Sequence, residues 1–339
     1  MKNKKITLDH GSGGLASQNL ISDLFLRYLD NPLLHDLEDC AILPAQKKKS
    51  RLAMSTDSYV VDPIIFPGGN IGELAVNGTI NDLAMRGAVP LGLSLGLIIE
   101  EGLDLAELET IISSIADCCT RAGVDIITGD TKVVPRNKAD KLFINTTGIG
   151  RVDEHINISG KNARPGDAII LSGTLADHGI TIMTSRAGLQ VSGNLHSDTM
   201  ALHHLVQALL TENSAAVHVL RDPTRGGLAT TLCEIAHASG ISIKLSEPDI
   251  PVRPVVGAAC ELIGLDPLYL ANEGKCILIC DENAATDLLA CMRSTEAGKQ
   301  AACIGRVEDG PEGRVSLTTS IGGTRLIEPL SGEPLPRIC

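Results

Sequence analysis

The sequence has 339 residues, with 29 lysines and arginines against 41 aspartates and glutamates, so its formal charge is −12. A chain this acidic lacks the surplus of cations that would neutralise a nucleic-acid backbone or an anionic membrane, which argues against non-specific binding to either. Three phenylalanines, three tyrosines and no tryptophan supply little for base stacking. The length predicts two domains of roughly 150 residues each.

The cysteine usage and the amino terminus predict a cytoplasmic protein. The ten cysteines include no C-x-x-C pair, and no histidine accompanies them at metal-ligand spacing. The start, MKNKKITLDHGSGG, has no apolar segment of the kind that directs secretion, and the longest apolar stretch, Ala88 to Ile99, is too short to span a membrane. We therefore expect reduced thiols, with nine of them serving as small packing residues.

Apolar spacing predicts helices that alternate with short strands. The clearest helix is DLAELETIISSIADCCTRAG, with Asp104 as its N-cap and Gly123 as its stop. A strand at 124–128 follows and ends at Gly129 and Asp130, where α/β folds usually place their chemistry. The remaining predictions are helices near 15–29, 71–85, 177–188, 199–212 and 225–239, and strands near 142–150, 168–171, 275–280 and 303–307.

A polar, turn-rich segment around 158–166 (SGKNARPGD) predicts the domain boundary. We divide the chain into a glycine-rich segment with a helix at 1–35, an amino-terminal domain at 36–155, a carboxyl-terminal domain at 156–329 and a tail at 330–339. The tail contains two prolines near its end, so we expect it to be extended and mobile.

Five aspartates stand beside glycine or other small residues at predicted element ends. Hard cations such as Mg²⁺ prefer carboxylate oxygens and usually bridge to substrate phosphates, so a cluster of these side chains would hold a metal–nucleotide complex. Taken singly, each aspartate is more typical of a turn or a helix cap. The five are Asp39, Asp57, Asp82, Asp130 and Asp222.

Two glycine-rich segments precede predicted helices: His10-Gly-Ser-Gly-Gly14 and Thr224-Arg-Gly-Gly227. Unpaired N–H groups at a helix amino end favour an anion such as phosphate, although a flexible glycine start is equally common. No G-x-x-x-x-G-K-S/T motif occurs, which excludes a P-loop nucleotide site.

The last residue, Cys339, places a thiol at the end of the proline-containing tail. Ten extended residues reach up to roughly 33 Å, so this thiol is tethered and able to travel. The alternative is a tail residue without a role.

Read together, these segments resemble the HypE family of hydrogenase maturation proteins. The resemblance rests on six segments that follow one another over essentially the whole chain: HGSGG, STDSYVVDPIIFPGGNIGELAVNGTINDLAMRGAVPLGLS, TGDTKVV, RDPTRGGLAT, NEGK and a terminal PRIC. The wider family includes aminoimidazole ribonucleotide synthetase, selenophosphate synthetase and thiamine-monophosphate kinase. The selenophosphate synthetases carry a reactive Cys or Sec and a Lys in their glycine-rich start, and HGSGG has neither.

The resemblance implies an α/β (α+β) fold with two PurM-like domains. The amino-terminal domain is expected to have a ferredoxin-like sheet that forms a barrel across a homodimer, and ATP is expected between this domain and the carboxyl-terminal α/β domain. Magnesium would be held by the five aspartates. One departure is LEDCAIL, where Cys40 replaces a small residue beside Asp39. The residues implied to line the nucleotide are Gly11, Gly13, Gly14, Asn81, Gly129, Arg225, Gly226 and Gly227.

The resemblance also implies a reaction. HypE-like proteins accept a carbamoyl group on the terminal thiol and dehydrate it with ATP to a thiocyanate, which becomes the cyanide ligand of [NiFe]-hydrogenase. On this sequence the carrier is Cys339, Lys132 offsets charge on the transferred phosphate, Glu273 is the candidate base and His10 a weaker alternative. A surface Glu273 paired with Lys275 is the competing interpretation.

The implied partners are a HypF-like carbamoyltransferase and an iron-carrying HypC–HypD-like complex. Two other functions stay open. One is a small-molecule kinase or ligase of the same superfamily, in which the PRIC tail is incidental. The other is a non-catalytic scaffold that presents Cys339 to maturation partners.

Overall fold

A computed structural model describes residues 5–7, 10, 19–31, 49–189, 191, 193–330 and 337–339. The helices in these ranges are α1 (Leu26–Leu29, preceded by a π-helical turn at Ile21–Phe25), α2 (Ile71–Ala84), α3 (Leu105–Ala122), α4 (Asp177–Arg186), α5 (His203–Asn213), α6 (Gly227–Ser239), α7 (Pro254–Ile263) and α8 (Ala285–Ser294).

The strands in the described part of the chain form two large sheets and one small hairpin. They are β1 (Ser50–Tyr59), β2 (Ile65–Phe66), β3 (Gly69–Asn70), β4 (Val89–Glu100), β5 (Ile126–Val134), β6 (Leu142–Asp153), β7 (Ala168–Leu171), β8 (Val217–Arg221), β9 (Ser242–Ser246), β10 (Ile277–Cys280), β11 (Ala302–Glu308), β12 (Val315–Thr318) and β13 (Thr324–Ile327).

The first sheet has the strand order β1-β6-β4-β5, with β4 and β5 parallel and the other pairs antiparallel. Helices α2 and α3 pack against each other, and α2 packs against β1, β4 and β6. Alternate β4 residues, including Leu93, Leu95 and Ile99, are therefore buried beneath the helices, whereas Ile98 points to the other face and is exposed. This outer face also carries the exposed side chains of Leu52 and Met54 on β1.

Helix α3 confirms the sequence prediction for this segment. Its apolar stripe, which includes Leu108, Ile111 and Ile115, is buried, and Gly123 ends the helix in a left-handed conformation with φ +64°. Asp104 stands at the N-cap position but makes no capping hydrogen bond with its side chain.

The strand after α3 is longer than predicted. Strand β5 continues to Val134, so Gly129 and Asp130 lie inside the strand and not beyond its end. The prediction treated the Gly-Asp pair as a turn signal. Pairing with β4 overrides that local preference, since Leu95 and Gly96 pair with Gly129 and Asp130.

The second sheet has seven strands in the order β13-β12-β9-β11-β7-β10-β8. All neighbouring pairs are antiparallel except β9 and β12. Strands β8, β9, β12 and β13 were not predicted from the sequence, and the helix predicted at 199–212 starts four residues later, at His203. The central strands β7 and β10 are buried along their whole length.

The cysteines mostly pack as expected, with one correction. Of the nine cysteines in the described ranges, six are buried, and burial raises the pKa of each of these thiols, to about 11 for Cys118 and about 12 for Cys276. Cys303 on β11 is exposed, so it is not a packing residue. In the described ranges, no helix is long and apolar enough to cross a membrane.

Candidate active site

Three of the predicted aspartates lie where the two domains meet, close enough for the charges of Asp57 and Asp82 to act on Asp222, and this region is called the cleft. Asp57 lies on the helix-facing side of β1, Asp82 lies near the end of α2, and Asp222 follows β8 directly. Burial raises the pKa of Asp222 to about 7, and the negative charges of Asp82 and Asp57 add to the shift. Burial also raises the pKa of Asp82, although a 2.6 Å hydrogen bond from Ser55 Oγ opposes it.

Glu273 completes this concentration of negative charge. Its side chain is 4% exposed, and Oε1 accepts no hydrogen bond from the described residues. Burial raises its pKa well above the usual range, and the nearby charges of Asp198 and Asp222 raise it further. The competing interpretation of a surface Glu273 paired with Lys275 is wrong, because Lys275 Nζ lies 3.0 Å from Asp198 Oδ2.

The donor set fits a hard divalent cation. A cation between carboxylates that raise one another's pKa reduces the repulsion between their charges. Carboxylate oxygen is also the ligand that Mg²⁺ prefers. Within the described ranges, no three His, Cys, Asp or Glu side chains are already close enough to hold a metal ion. Asp39, Gly11, Gly13 and Gly14 lie outside the described residues.

Asp130 and Lys132 lie on the opposite face of the first sheet from Asp57. The register pairs Asp57 with Thr146, Thr146 with Leu95, and Leu95 with Gly129, so Gly129 shares the helix-facing side and its neighbour Asp130 does not. Asp130 and Lys132 form an exposed ion pair of 2.9 Å. One chain therefore does not bring these two residues to the cleft.

The glycines before α6 have a clear conformational requirement. Gly226 and Gly227 both have positive φ, +76° and +60°. A Cβ on Gly227 would lie 2.5 Å from the carbonyl oxygen of Leu268, so only glycine fits. The amino end of α6 begins five residues after Asp222, and the neighbouring Arg225 is exposed, with a positive charge that lowers the pKa of Asp82 slightly. Such a helix start suits a phosphate.

Asn81 was expected to line the nucleotide, but its side-chain amide is occupied by backbone groups of the other domain. Its Nδ2 donates to the carbonyl oxygens of Met200 at 3.0 Å and Glu273 at 3.3 Å, and its Oδ1 accepts from Leu202 N at 2.8 Å. The residue is 2% exposed. Asn81 thus places Glu273 relative to α2.

His10, the alternative base, takes part in a local turn. Its Nδ1 accepts the backbone N–H of Thr7 at 3.1 Å and lies 2.9 Å from the Thr7 hydroxyl. This ring nitrogen is therefore occupied by a neighbour in sequence.

Residues 337–339 pair with the residues that follow β1, the strand that bears Asp57. Val60 N donates to the carbonyl oxygen of Cys339 at 3.1 Å, and Asp62 N donates to that of Arg337 at 3.3 Å, which is an antiparallel pairing just beyond β1. Ile338 is 4% exposed. Cys339 is half-buried and lies opposite Val60, which is three residues after Asp57.

Three residues of this neighbourhood, His178, Arg186 and Asp198, were not predicted from the sequence, and Lys275 was considered only as a surface partner of Glu273. Asp198 Oδ1 accepts the backbone N–H of Glu273 at 3.1 Å. Burial raises the pKa of this carboxyl, but the charges and hydrogen bonds around it, those of Lys275 foremost, together outweigh burial and lower the pKa. Only Lys275 lies in a segment that the analysis had selected, NEGK.

The matches to known proteins agree with this architecture. Residues 37–152 match the family model of the AIR synthase related protein N-terminal domain, and residues 164–318 match that of its C-terminal domain. The fold and the carboxylate-lined cleft are thus those of a two-domain, PurM-like AIR synthase related protein.

Closer relatives narrow the class. The carbamoyl dehydratase HypE of Cupriavidus necator is 50% identical over 339 residues, covering 100% of this chain and 96% of that protein. The crystal structure of a hydrogenase maturation protein HypE in complex with ATP has a TM-score of 0.94 and 52% identity, covering 98% of this chain and 99% of that one. The crystal structure of a HypE–HypF complex has a TM-score of 0.80 and 44% identity, covering 92% of this chain and 99% of that one. The chain belongs to the HypE family of carbamoyl dehydratases, which act in hydrogenase maturation.

The family and the two-domain mixed α/β fold are therefore confirmed. The barrel across a dimer, the mobile tail and the site roles stay predictions.

Proposed function

We propose that this protein uses ATP to dehydrate a carbamoyl group on the thiol of Cys339 to a thiocyanate, the source of a cyanide ligand for [NiFe]-hydrogenase iron. The observation that carries the proposal is the pairing of Cys339 with Val60, just after the strand that bears Asp57. Asp57 is one of four carboxylates that lie close together, with Asp82, Asp222 and Glu273. The HypE relative solved with ATP supports ATP as the nucleotide.

The atoms balance as follows. The carbamoyl oxygen of Cys339–S–C(=O)NH₂ attacks the γ-phosphorus of ATP, and the bond from that phosphorus to ADP breaks. The resulting imidate carries phosphate as a leaving group. Loss of the two nitrogen protons and expulsion of phosphate then leave S–C≡N, with the carbamoyl oxygen in the phosphate.

Glu273 is the proposed base for the nitrogen protons. A general base works best when its pKa lies near the working pH, and burial among like charges raises the pKa of this carboxyl in that direction. Asn81 and Asp198 hold its backbone on both sides, so the carboxyl is oriented before substrate arrives.

Asp57, Asp82 and Asp222, with Asp39, are the proposed magnesium ligands. These residues would hold magnesium there, and its chemistry would be to offset the charge of the ATP phosphates. The start of α6 at Gly226 would present backbone N–H groups to the same phosphates, as would Gly11, Gly13 and Gly14. The N–H of Gly227 is excluded from this set, because it donates to the carbonyl oxygen of Thr224 at 3.0 Å.

We propose a homodimer formed through the outer face of the first sheet. The support is the exposed apolar side chains on that face, with Leu52 67%, Met54 73% and Ile98 43% exposed. Asp130 and Lys132 lie on this face, so in the dimer they would act on nucleotide bound to the partner copy. Lys132 would offset phosphate charge there.

A HypF-like carbamoyltransferase is the proposed donor of the carbamoyl group, supported by the solved HypE–HypF complex. An iron-carrying HypC–HypD-like complex is the proposed acceptor of the cyanide. Both exchanges need the thiol outside the cleft, so the tail must alternate between docked and free positions.

Intact-mass spectrometry tests the proposal. After incubation with the carbamoyl donor system and ATP, the terminal peptide should gain a carbamoyl group and then lose one water, and Cys339→Ala should show neither change. A thiocyanate increment on Cys339→Ala would refute the assignment. A small-molecule kinase would keep its turnover after removal of the last four residues, and a scaffold would bind nucleotide without hydrolysing it.

A further inference from the structure

The docked chain end leaves one backbone carbonyl facing away from β1. The carbonyl oxygens of Arg337 and Cys339 accept from Asp62 N and Val60 N. The carbonyl oxygen of Ile338, between them, points instead toward the other domain. Because Ile338 is 4% exposed, this oxygen needs a protein donor, since a buried carbonyl without one destabilises the docked state.

His178 on α4 supplies that donor. Its Nε2 lies 2.7 Å from the carbonyl oxygen of Ile338, and the side chain is completely buried. Arg186, at the other end of α4, adds a second contact by donating from Nη2 to the carbonyl oxygen of Arg337 at 2.7 Å. Residues 337–339 are thus held between the end of β1 and α4.

The imidazole is fixed in one orientation. A carbonyl oxygen only accepts, so Nε2 carries the proton, and burial lowers the pKa of His178 and keeps the ring neutral. Nδ1 then accepts from the Ser197 hydroxyl at 2.8 Å. The imidazole also makes a T-shaped contact with the ring of Phe66. The two ring centroids are 5.6 Å apart, and the ring planes are at 83° to each other.

The loop that carries Glu273 also positions α4. Asn272 Oδ1 accepts the backbone N–H of Ala176 at 2.8 Å, and Gly179 N donates to the carbonyl oxygen of Ala271 at 3.0 Å. The helix that bears His178 and the loop that bears the candidate base are therefore tied together.

We propose that His178 is a positioning residue, which fixes the register of the docked chain end through the Ile338 carbonyl and so places the Cys339 thiol for the reaction. This inference rests on the proposed function for its catalytic consequence. A slip of one residue would move the thiol by about 3.3 Å along the strand, which is enough to separate its thiocarboxamide from the nucleotide.

The contact of His178 with the Ile338 carbonyl is called the latch. Alkylation of the full-length chain tests this latch without relying on the proposed reaction. The rate at Cys339 is read by peptide mass and divided by the rate at Cys303, which is exposed and serves as the internal reference. His178→Phe keeps a buried ring but loses the donor, and should raise the ratio about tenfold. His178→Gln keeps an N–H donor and should stay within about threefold of the parent. His237→Phe, at an exposed histidine, is the matched control.

A ratio for His178→Phe equal to that of the parent chain would overturn the proposal. If His178→Phe does not fold, Ser197→Ala is measured instead. It removes the partner of Nδ1 and should raise the ratio about threefold, and an unchanged ratio would again count against the latch.

The same variants separate the latch from the proposed chemistry. Loading of the carbamoyl group needs a free tail, so His178→Phe should load normally and then convert thiocarboxamide to thiocyanate more slowly, with His178→Gln restoring the conversion. If the parent chain itself never converts the carbamoyl group, the proposed function fails, while the alkylation ratio still decides on the latch.

Discussion

The side-chain amide of Asn81 joins α2 to the backbone of Glu273, with Nδ2 3.3 Å from the Glu273 carbonyl oxygen. The same amide binds the backbone of Met200 and Leu202. One buried side chain of the amino-terminal domain thus sets the position of the candidate base in the other domain.

Asn81→Ala should lower the free energy of unfolding by about 2–4 kcal/mol, because it leaves buried backbone groups without partners. Urea denaturation measures this loss. The control is Asn77→Ala, one turn earlier on α2, whose side-chain amide donates to Thr199 Oγ1 at 3.1 Å and should cost about 1 kcal/mol. Equal losses in the two variants would contradict the role given to Asn81.

Glu273→Gln should block dehydration but not carbamoyl loading. The amide has the same size and no proton affinity in the working range, so we expect conversion to fall by about 10²–10⁴-fold, the usual contribution of a general base. Intact-mass time courses with ATP follow both steps. Glu282→Gln, at an exposed site, should convert at the parent rate. Normal conversion by Glu273→Gln would move the search for the base to another residue.

Asp222 should make the metal-free protein less stable as the pH rises. Its pKa is raised from 3.8 to about 7 in the folded state, so between about pH 4 and pH 7 the folded chain binds more protons than the unfolded one and loses stability with increasing pH. Asp222→Asn removes this dependence and should be more stable than the parent by roughly 2–4 kcal/mol above pH 7. Both should be nearly equal at about pH 4.

Denaturant unfolding with a chelator present, repeated across that range, gives the two profiles. Curves that stay parallel would show that the Asp222 carboxyl is not held among like charges.

Asp82→Asn and Asp130→Asn should each abolish ATP-dependent dehydration, but in different active sites of the proposed dimer. Asp82 belongs to the cleft of its own chain, whereas Asp130 lies on the outer sheet face and would serve the partner copy. Mixed dimers of the two variants, isolated through both tags, should therefore regain about half of the parent activity, because one of the two sites in each mixed dimer is intact. Activity assays on co-expressed, separately tagged chains measure this recovery, and its absence would place both residues in one chain's site or exclude Asp130.

The sequence alone determined the local features of this protein and the order of its motifs along the chain. The apolar periodicity of α3 and its glycine stop predicted that helix, since both signals are short-range. The motif order and the terminal PRIC indicated the family, which the relatives confirm. The glycines before α6 were recognised as a helix start, and their positive φ accounts for them.

Only the tertiary structure decided which of the selected residues meet. The period of two along a strand places neighbours on opposite faces, so a strand that runs through Gly129 separates Asp130 from Asp57, whereas a strand ending there would have allowed them to converge. His178, Asp198 and Lys275 acquire their surroundings from contacts between segments far apart in the chain, which no local pattern encodes. Burial, too, is a property of the packed molecule. It turned Glu273 from a possible surface partner of Lys275 into a buried carboxyl with a raised pKa.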